Sequence, residues 1–262
     1  KYKKSIIHNS EGPPNWSWQD IILINPGKKF QEVTKSKFEQ LPKRDLGWAE
    51  YAPPYEKMIL KAARDKSKRQ SGWMTRTTPL QLESGRIILP LYSDGFNFSL
   101  MAISDDQGKN WKSSEPIVGY GNVQPSLIQK KNGDIVAYMR DNGDKPMRVL
   151  QSVSIDNGES WSSVSDTEIH NPGSSLHTLS LSNGDWLMVN NNLEMGRNTL
   201  NLNHSKDEGK TWYSILEIEN SDHQNDRFSY PTLIATKQGH INLSYSLQSK
   251  QQKTIVHAII SL

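Results

Sequence analysis

Three copies of an acidic turn motif are the most regular chemistry-bearing feature of the 262-residue sequence. The pattern Ser-x-Asp-x-Gly-x-x-Trp, here called the Asp box, begins at Ser104, Ser154 and Ser205. Asp and Gly close together suggest a calcium loop, but the third loop position, where calcium takes an oxygen ligand, is glycine in every copy. The boxes therefore predict tight structural turns, in which the carboxylate accepts backbone N–H groups and the tryptophan packs into a sheet.

Cysteine and histidine give little support to other metal or nucleophile chemistry. The sequence has no cysteine, which excludes disulfides, thiol catalysis and zinc bound by cysteine. His170 and His177 flank residues 171–173, but no two histidines have the i, i+4 spacing of a zinc-binding helix. We predict no metal site and no cofactor, and keep both imidazoles as candidates for proton transfer near neutral pH.

Charge and hydropathy exclude two further classes of protein. The chain has 31 basic and 28 acidic residues, a formal net charge of +3, and its basic residues are mostly scattered. This distribution argues against a nucleic-acid-binding surface. No window approaches the roughly 18 consecutive apolar residues of a membrane span, and no signal peptide is visible in the chain. The oligomeric state stays open.

A repeat of about 50 residues must position these side chains. The box tryptophans are Trp111, Trp161 and Trp212, and each box is preceded by short apolar or β-branched runs separated by turn signals. A fourth copy begins at Tyr230 and ends without a box. Such short strands predict an all-β fold of four-stranded propeller blades. A helical repeat is excluded because no long stripe with a period of 3.6 residues is present.

We expect a single domain with two parts. Residues 1–70 form an irregular N-terminal segment, a modified blade in which residues 16–24 are outer strands and residues 55–65 are a helical surface insertion. Residues 71–262 form the Asp-box blades. The irregular leader and the unfinished fourth copy favour a six-bladed parent propeller that is truncated at its N-terminus, with a closed ring of four blades as the alternative.

The three boxes within this blade pattern resemble the sialidase (neuraminidase) superfamily, in its BNR-repeat branch, over residues 72–262. The resemblance implies that the boxes face away from the active site. Starts of first and third strands and ends of second strands then reach the opposite rim. The residues with polar chemistry at these positions are Arg76, Tyr92, Asp94, Gln124, Arg140, Asp141, Asn142, Arg148, Arg197 and Tyr230.

The resemblance also implies roles for these residues. Tyr230 matches the tyrosine nucleophile, and Arg140 and Arg197 match two arginines that hold the substrate carboxylate. Guanidinium groups suit that task because they bind carboxylates bidentately and stay charged. Asp94 is the acid/base candidate. The residues expected to complete substrate binding are Arg76, Gln124, Asp141 and Arg148.

Two departures from the family pattern limit this assignment. The family places a Glu, the base toward the tyrosine, where this chain has Gln124, and an amide cannot take up a proton. The third arginine and the acid/base Asp belong to a first blade that this chain does not visibly contain. The chemistry can therefore differ from that of sialidases even where the fold does not.

The resemblance implies a sialidase-like glycoside hydrolase that acts on a terminal acidic sugar, sialic acid, of glycoconjugates. Two alternatives remain open, a non-catalytic glycan-binding propeller and a uronate-directed glycosidase or lyase on the same fold. The expected partner in each case is a glycan with a carboxylate. A secreted or periplasmic location is what the resemblance favours.

Overall fold

A computed structural model describes residues 2–5, 16–42, 52–143, 145–236 and 239–261. The N-terminal part contains two paired antiparallel strands, β1 (Tyr2–Ser5) and β2 (Trp16–Asp20). Three helices follow them, α1 (Phe30–Glu39), α2 (Ala52–Arg64) and α3 (Lys66–Gln70). No helix among the described residues is long and apolar enough to cross a membrane.

Four antiparallel sheets follow, each built from strands that are consecutive in the chain. Blade 1 contains β3 (Leu80–Gln81), β4 (Ile87–Ser93), β5 (Phe98–Ser104) and β6 (Lys112–Ser113). Blade 2 contains β7 (Asn122–Gln129), β8 (Ile135–Asp141), β9 (Arg148–Ser154) and β10 (Ser165–His170). Blade 3 contains β11 (His177–Ser180), β12 (Trp186–Asn190), β13 (Thr199–Ser205) and β14 (Tyr213–Asn220). Blade 4 contains β15 (Arg227–Ala235), β16 (Ile241–Gln248) and β17 (Lys253–Ile260).

The first strands of the four blades surround a central cavity of about 510 Å³. Its lining comes from residues 78–80, 127–129, 177–180 and 233–235. Apolar cores fill the spaces between neighbouring blades; Ile88 and Met139, for example, share the core between blades 1 and 2. This arrangement confirms the prediction of an all-β propeller, because each sheet buries one face against the next blade.

The helices differ from the expectation of a single surface insertion. The expected helix at residues 55–65 is α2, but α1 and α3 accompany it. Phe30, Phe38 and Ile59 are almost fully buried and share one core with Phe98 of blade 1. The helical part is thus packed into the domain, because its aromatic side chains bury a large apolar area there.

All three Asp boxes lie between the third and fourth strands of their blades, as the resemblance implied. In the second box, Asp156 Oδ1 accepts the backbone N–H of Ser160 at 2.9 Å, and Ser154 Oγ accepts that of Gly158 at 2.8 Å. The other two boxes repeat these bonds at closely similar distances. We call this end of the blades the base and the opposite end the rim.

Candidate functional site

Because consecutive strands are antiparallel, only certain parts of each strand reach the rim. Successive strands run in opposite directions, so starts of first and third strands and ends of second strands meet at the end away from the boxes. Each blade contributes one such residue: Arg76 in blade 1, Arg140 in blade 2, Arg197 in blade 3 and Tyr230 in blade 4. We call these four residues the arginine rim.

Arg76 and Tyr230 contact each other from blades 1 and 4. The Arg76 guanidinium carbon lies 5.3 Å from the centre of the Tyr230 ring, within the range of a cation–π interaction. One guanidinium nitrogen of Arg76 donates to the Pro231 carbonyl at 3.0 Å, and a second lies 3.4 Å from Thr232 Oγ1. Burial lowers the Arg76 pKa, and the phenols of Tyr230 and Tyr92 oppose that shift.

Arg197 approaches the same tyrosine from blade 3. Its guanidinium donates to the Gly173 carbonyl at 2.8 Å and lies 3.4 Å from Ser229 Oγ. Burial lowers the Arg197 pKa, the positive charge of Arg140 lowers it further, and interaction with Tyr230 raises it. The structure thus brings three arginines and Tyr230 into one electrostatically coupled group.

Ion pairs distinguish the rim arginines from an arginine at the base. No ion pair among the described residues includes Arg76, Arg140 or Arg197. By contrast, Arg86 at the base contacts Asp105 at 2.6 Å and Glu159 at 3.0 Å. Several uncompensated cations held close together form a region of positive potential that attracts an anionic ligand.

Gln124 and Tyr230 hold strained backbone conformations. Their φ angles are +56° and +57°, in a region that residues other than glycine seldom adopt. Each residue precedes a proline at a β-bulge near the start of its blade's first strand. Bulges of this kind redirect side chains. The bulge before a proline, rather than the φ angle, distinguishes these two residues, because one residue in each Asp box also has a φ near +60°.

Gln124 presents an amide oxygen to the site. The side chain is 5% exposed and its nitrogen lies 3.4 Å from the Tyr92 hydroxyl, while Oε1 is buried without a partner among the described residues. A buried carbonyl oxygen that lacks a hydrogen bond costs about 1–3 kcal/mol. A ligand O–H or N–H group could satisfy this oxygen.

Partnerless polar atoms concentrate at the rim. Of the ten buried side-chain nitrogen or oxygen atoms that have no hydrogen-bond partner among the described residues, nine belong to rim positions and one to Trp212 at the base. The nine rim residues are Arg76, Asn122, Gln124, Arg140, Ser174, Ser175, Asn191, Asn192 and Thr199. Since buried polar groups are normally paired, this concentration marks the place where ligand or water completes the structure.

The other predicted site residues lie around this group without joining it. Asp94 is exposed in the turn after β4. Asp141 is 3% exposed, and its carboxylate accepts the Gly143 N–H at 2.8 Å, which stabilises the turn. Arg148 forms a separate cluster, in which its guanidinium lies 2.7 Å from His170 Nδ1 and 3.2 Å from Glu194.

Sequence reasoning missed Arg227, whereas it placed His177 at the start of a first strand as a candidate for proton transfer. Arg227 lies close enough to Arg197 to lower its pKa, and it starts β15, whereas the pattern predicted that strand to begin at Tyr230. His177 lies in the centre, where Nδ1 accepts the Leu233 N–H at 3.3 Å and Nε2 lies 3.2 Å from Thr78 Oγ1. Burial, together with the Arg76 charge, lowers the His177 pKa to about 4.

Antiparallel four-stranded blades with Asp boxes at one end and arginines at the other define a propeller of the sialidase type. Residues 65–243 match the family model described as "BNR repeat-like domain". The chain therefore belongs to the BNR repeat-like family of the sialidase superfamily.

Individual relatives resemble parts of the chain. An 81-residue segment, 30% of this chain and 10% of the relative, is 28% identical to the anhydrosialidase of Macrobdella decora. The NanB sialidase of Streptococcus pneumoniae aligns with a TM-score of 0.59 and 19% identity, over 74% of this chain and 32% of NanB. An α-L-arabinanase of Penicillium chrysogenum aligns with a TM-score of 0.55 and 16% identity, over 72% of this chain and 63% of the arabinanase. At these identities the structural matches show the fold, which enzymes of different specificity share.

Proposed function

We propose that the protein is a sialidase-type glycoside hydrolase whose arginine rim holds the carboxylate of a terminal acidic sugar. The observation that carries this proposal is that Arg76 and Arg197 both interact with Tyr230, and Arg140 with Arg197, while no ion pair among the described residues includes these arginines. Guanidinium groups bind carboxylates through two parallel hydrogen bonds, so a sugar acid provides the missing anion.

Tyr230 is the proposed nucleophile. Its side chain is 44% exposed, so a ligand can reach the phenol, and Arg76 and Arg197 both lie beside it. The two guanidinium groups supply positive charge beside the phenol that is proposed to attack the anomeric carbon. Sialidases are an exception to glycosidase mechanisms with two carboxylates, and they use such a tyrosine. Asp94, in the turn after β4, is the proposed acid/base, and Gln124 is proposed to accept a hydrogen bond from the sugar.

The proposal is tested by hydrolysis of a fluorogenic α-sialoside. Arg197→Ala is expected to lower kcat/KM by about 100-fold or more, because the site loses one charge-assisted contact to the carboxylate. Arg86→Ala, at the base, is the matched control and should retain activity. Equal activity of Arg197→Ala and the wild type would exclude the proposed role. An unsaturated sugar among the products would instead indicate a lyase that uses the same arginines.

A non-catalytic glycan-binding role is the second candidate, and Gln124 favours it. This neutral amide stands where a base toward Tyr230 is expected, and its nitrogen lies 3.4 Å from the Tyr92 hydroxyl. Saturable binding of a sialoside without turnover, lost in Arg197→Ala, would support this role over hydrolysis.

A further inference from the structure

A cavity of about 600 Å³ opens on the outer side of the molecule between blades 2 and 3. One wall is β10, the outer strand of blade 2, and the other is formed by residues 209–214 of the third Asp box and the start of β14. No residue of the arginine rim lines it. The volume lies in the range of small-molecule binding sites.

The third box differs from the other two at its tryptophan. Trp111 donates its indole N–H to the Gly108 carbonyl at 3.0 Å, and Trp161 donates to the Gly158 carbonyl at 3.2 Å. The indole nitrogen of Trp212 makes no hydrogen bond with any described residue. Trp212 has thus lost the polar contact of its two counterparts and lines the cavity instead.

Neighbouring aromatic rings hold the Trp212 ring in place. Its centre lies 5.8 Å from that of Tyr138 in an edge-to-face arrangement and 6.5 Å from that of Trp186. Burial raises the Tyr138 pKa to about 12, and the neighbouring Trp212 side chain opposes that rise. The adjacent Tyr213 is 66% exposed and also lines the cavity.

Polar groups of both signs surround these aromatic rings. Asn192 contributes a buried amide oxygen without a partner among the described residues. His170, whose Nδ1 lies 2.7 Å from the Arg148 guanidinium, adds an imidazole to the cavity lining. Asp166 and Glu168 on β10 are exposed and provide carboxylate acceptors.

We propose that this cavity binds a neutral sugar residue. Aromatic rings pack against the apolar C–H faces of a pyranose, while carboxylate and amide oxygens accept its hydroxyl groups. The lining has two carboxylates, Asp166 and Glu168, against one lysine, Lys210, so its charge disfavours a sugar acid, in contrast to the arginine rim. The proposal does not depend on the activity assigned to the rim.

The proposal is tested by titration of lactose into the ¹⁵N-labelled protein. The Trp212 indole signal, identified by its absence in Trp212→Phe, is expected to shift saturably with lactose and to stay in place with glucuronic acid. Tyr213→Ala should weaken lactose binding about tenfold, because a stacking ring is lost. Ile215→Ala is the matched control, since Ile215 is 45% exposed on the same strand but does not line the cavity.

Arg197→Ala separates this site from the rim. Unchanged lactose affinity in Arg197→Ala, with binding weakened by Tyr213→Ala, supports a separate site whether or not the rim hydrolyses sialosides. The proposal is overturned if the Trp212 signal does not respond to lactose, maltose or cellobiose. It is also overturned if Tyr213→Ala, shown to be folded by circular dichroism, binds lactose as the wild type does, or if Arg197→Ala abolishes binding.

Discussion

Polar groups at the base of the blades are paired with each other, whereas many polar groups at the rim have no partner among the described residues. At the base, box carboxylates accept backbone N–H groups at 2.8 or 2.9 Å, and Arg86 lies between Asp105 and Glu159. At the rim, nine buried polar atoms have no partner among the described residues.

This contrast separates stability from function. Groups that satisfy each other lower the free energy of the folded chain by themselves, whereas partnerless polar groups and neighbouring cations raise it until a ligand binds. Substitutions at the base should therefore reduce stability, and substitutions at the rim should reduce activity while leaving stability unchanged or higher. Four experiments test that division, from the largest expected effect to the smallest.

Removal of the Tyr230 hydroxyl tests the rim most strongly. Tyr230→Phe is expected to lower kcat for an α-sialoside by about 10³-fold, because the nucleophile is lost while the ring under Arg76 is kept. The melting temperature should stay within a degree or so of the wild type. A variant that retains substantial turnover would show that Tyr230 is only part of the pocket wall.

A pair of glycines tests the packing of the base. A Cβ at Gly209, where φ is +82°, would collide with the Tyr138 hydroxyl and approach Trp186 at 2.9 Å. Gly133 has a φ of +95° but open space around it. Gly209→Ala should cost about 3 kcal/mol of unfolding free energy, and Gly133→Ala about 1–2 kcal/mol. Equal losses in urea denaturation would contradict the packing argument.

The low pKa of buried His177 predicts that the folded protein loses stability in mild acid. Its pKa falls from 6.5 to about 4 on folding, so the unfolded chain binds this proton first. The contribution is complete above pH 6.5 and declines as the pH falls toward 4, by on the order of 3 kcal/mol. His177→Asn should flatten this part of the curve in urea unfolding measured at several pH values. If the unfolding free energy of His177→Asn falls with decreasing pH as steeply as that of the wild type, other groups cause the effect.

Replacement of Arg140 should give the smallest effect, with the opposite sign. Its buried Nε has no partner among the described residues, and its charge acts against that of Arg197. Arg140→Met is expected to raise the unfolding free energy by about 0.5–1 kcal/mol while it weakens sialoside binding. Thermal melts and KM values measure both changes, and a marked fall in stability would mean that Arg140 is structural.

The blades were predictable because their signals are local. Each box carries its own hydrogen-bonding groups within eight residues, and short apolar runs between turns have few alternatives to strands. The helices were less accessible. The sequence around Phe30 and Phe38 does not by itself indicate the helix α1. Both side chains are buried only because they pack in one core with Phe98, which is far away in the chain.

The candidate site was predicted in part. Strand direction, together with the family resemblance, identified the positions of Arg76, Arg140, Arg197 and Tyr230, and the structure brings these residues together. Arg148 occupies an equivalent position in the strand pattern, but it contacts His170 and Glu194 instead. One partner, His170, comes from the neighbouring strand of the same blade, and the other, Glu194, comes from blade 3, so the strand pattern alone does not reveal this cluster.

The sequence by itself determined the repeat, the turn chemistry of the base and the end of each strand that carries polar groups, since all three depend on residues close together in the chain. Only the tertiary structure decided which guanidinium groups converge on Tyr230, which polar atoms remain without partners and where Trp212 borders a second cavity. Those outcomes depend on the packing of one blade against the next, and no local pattern encodes such long-range distances.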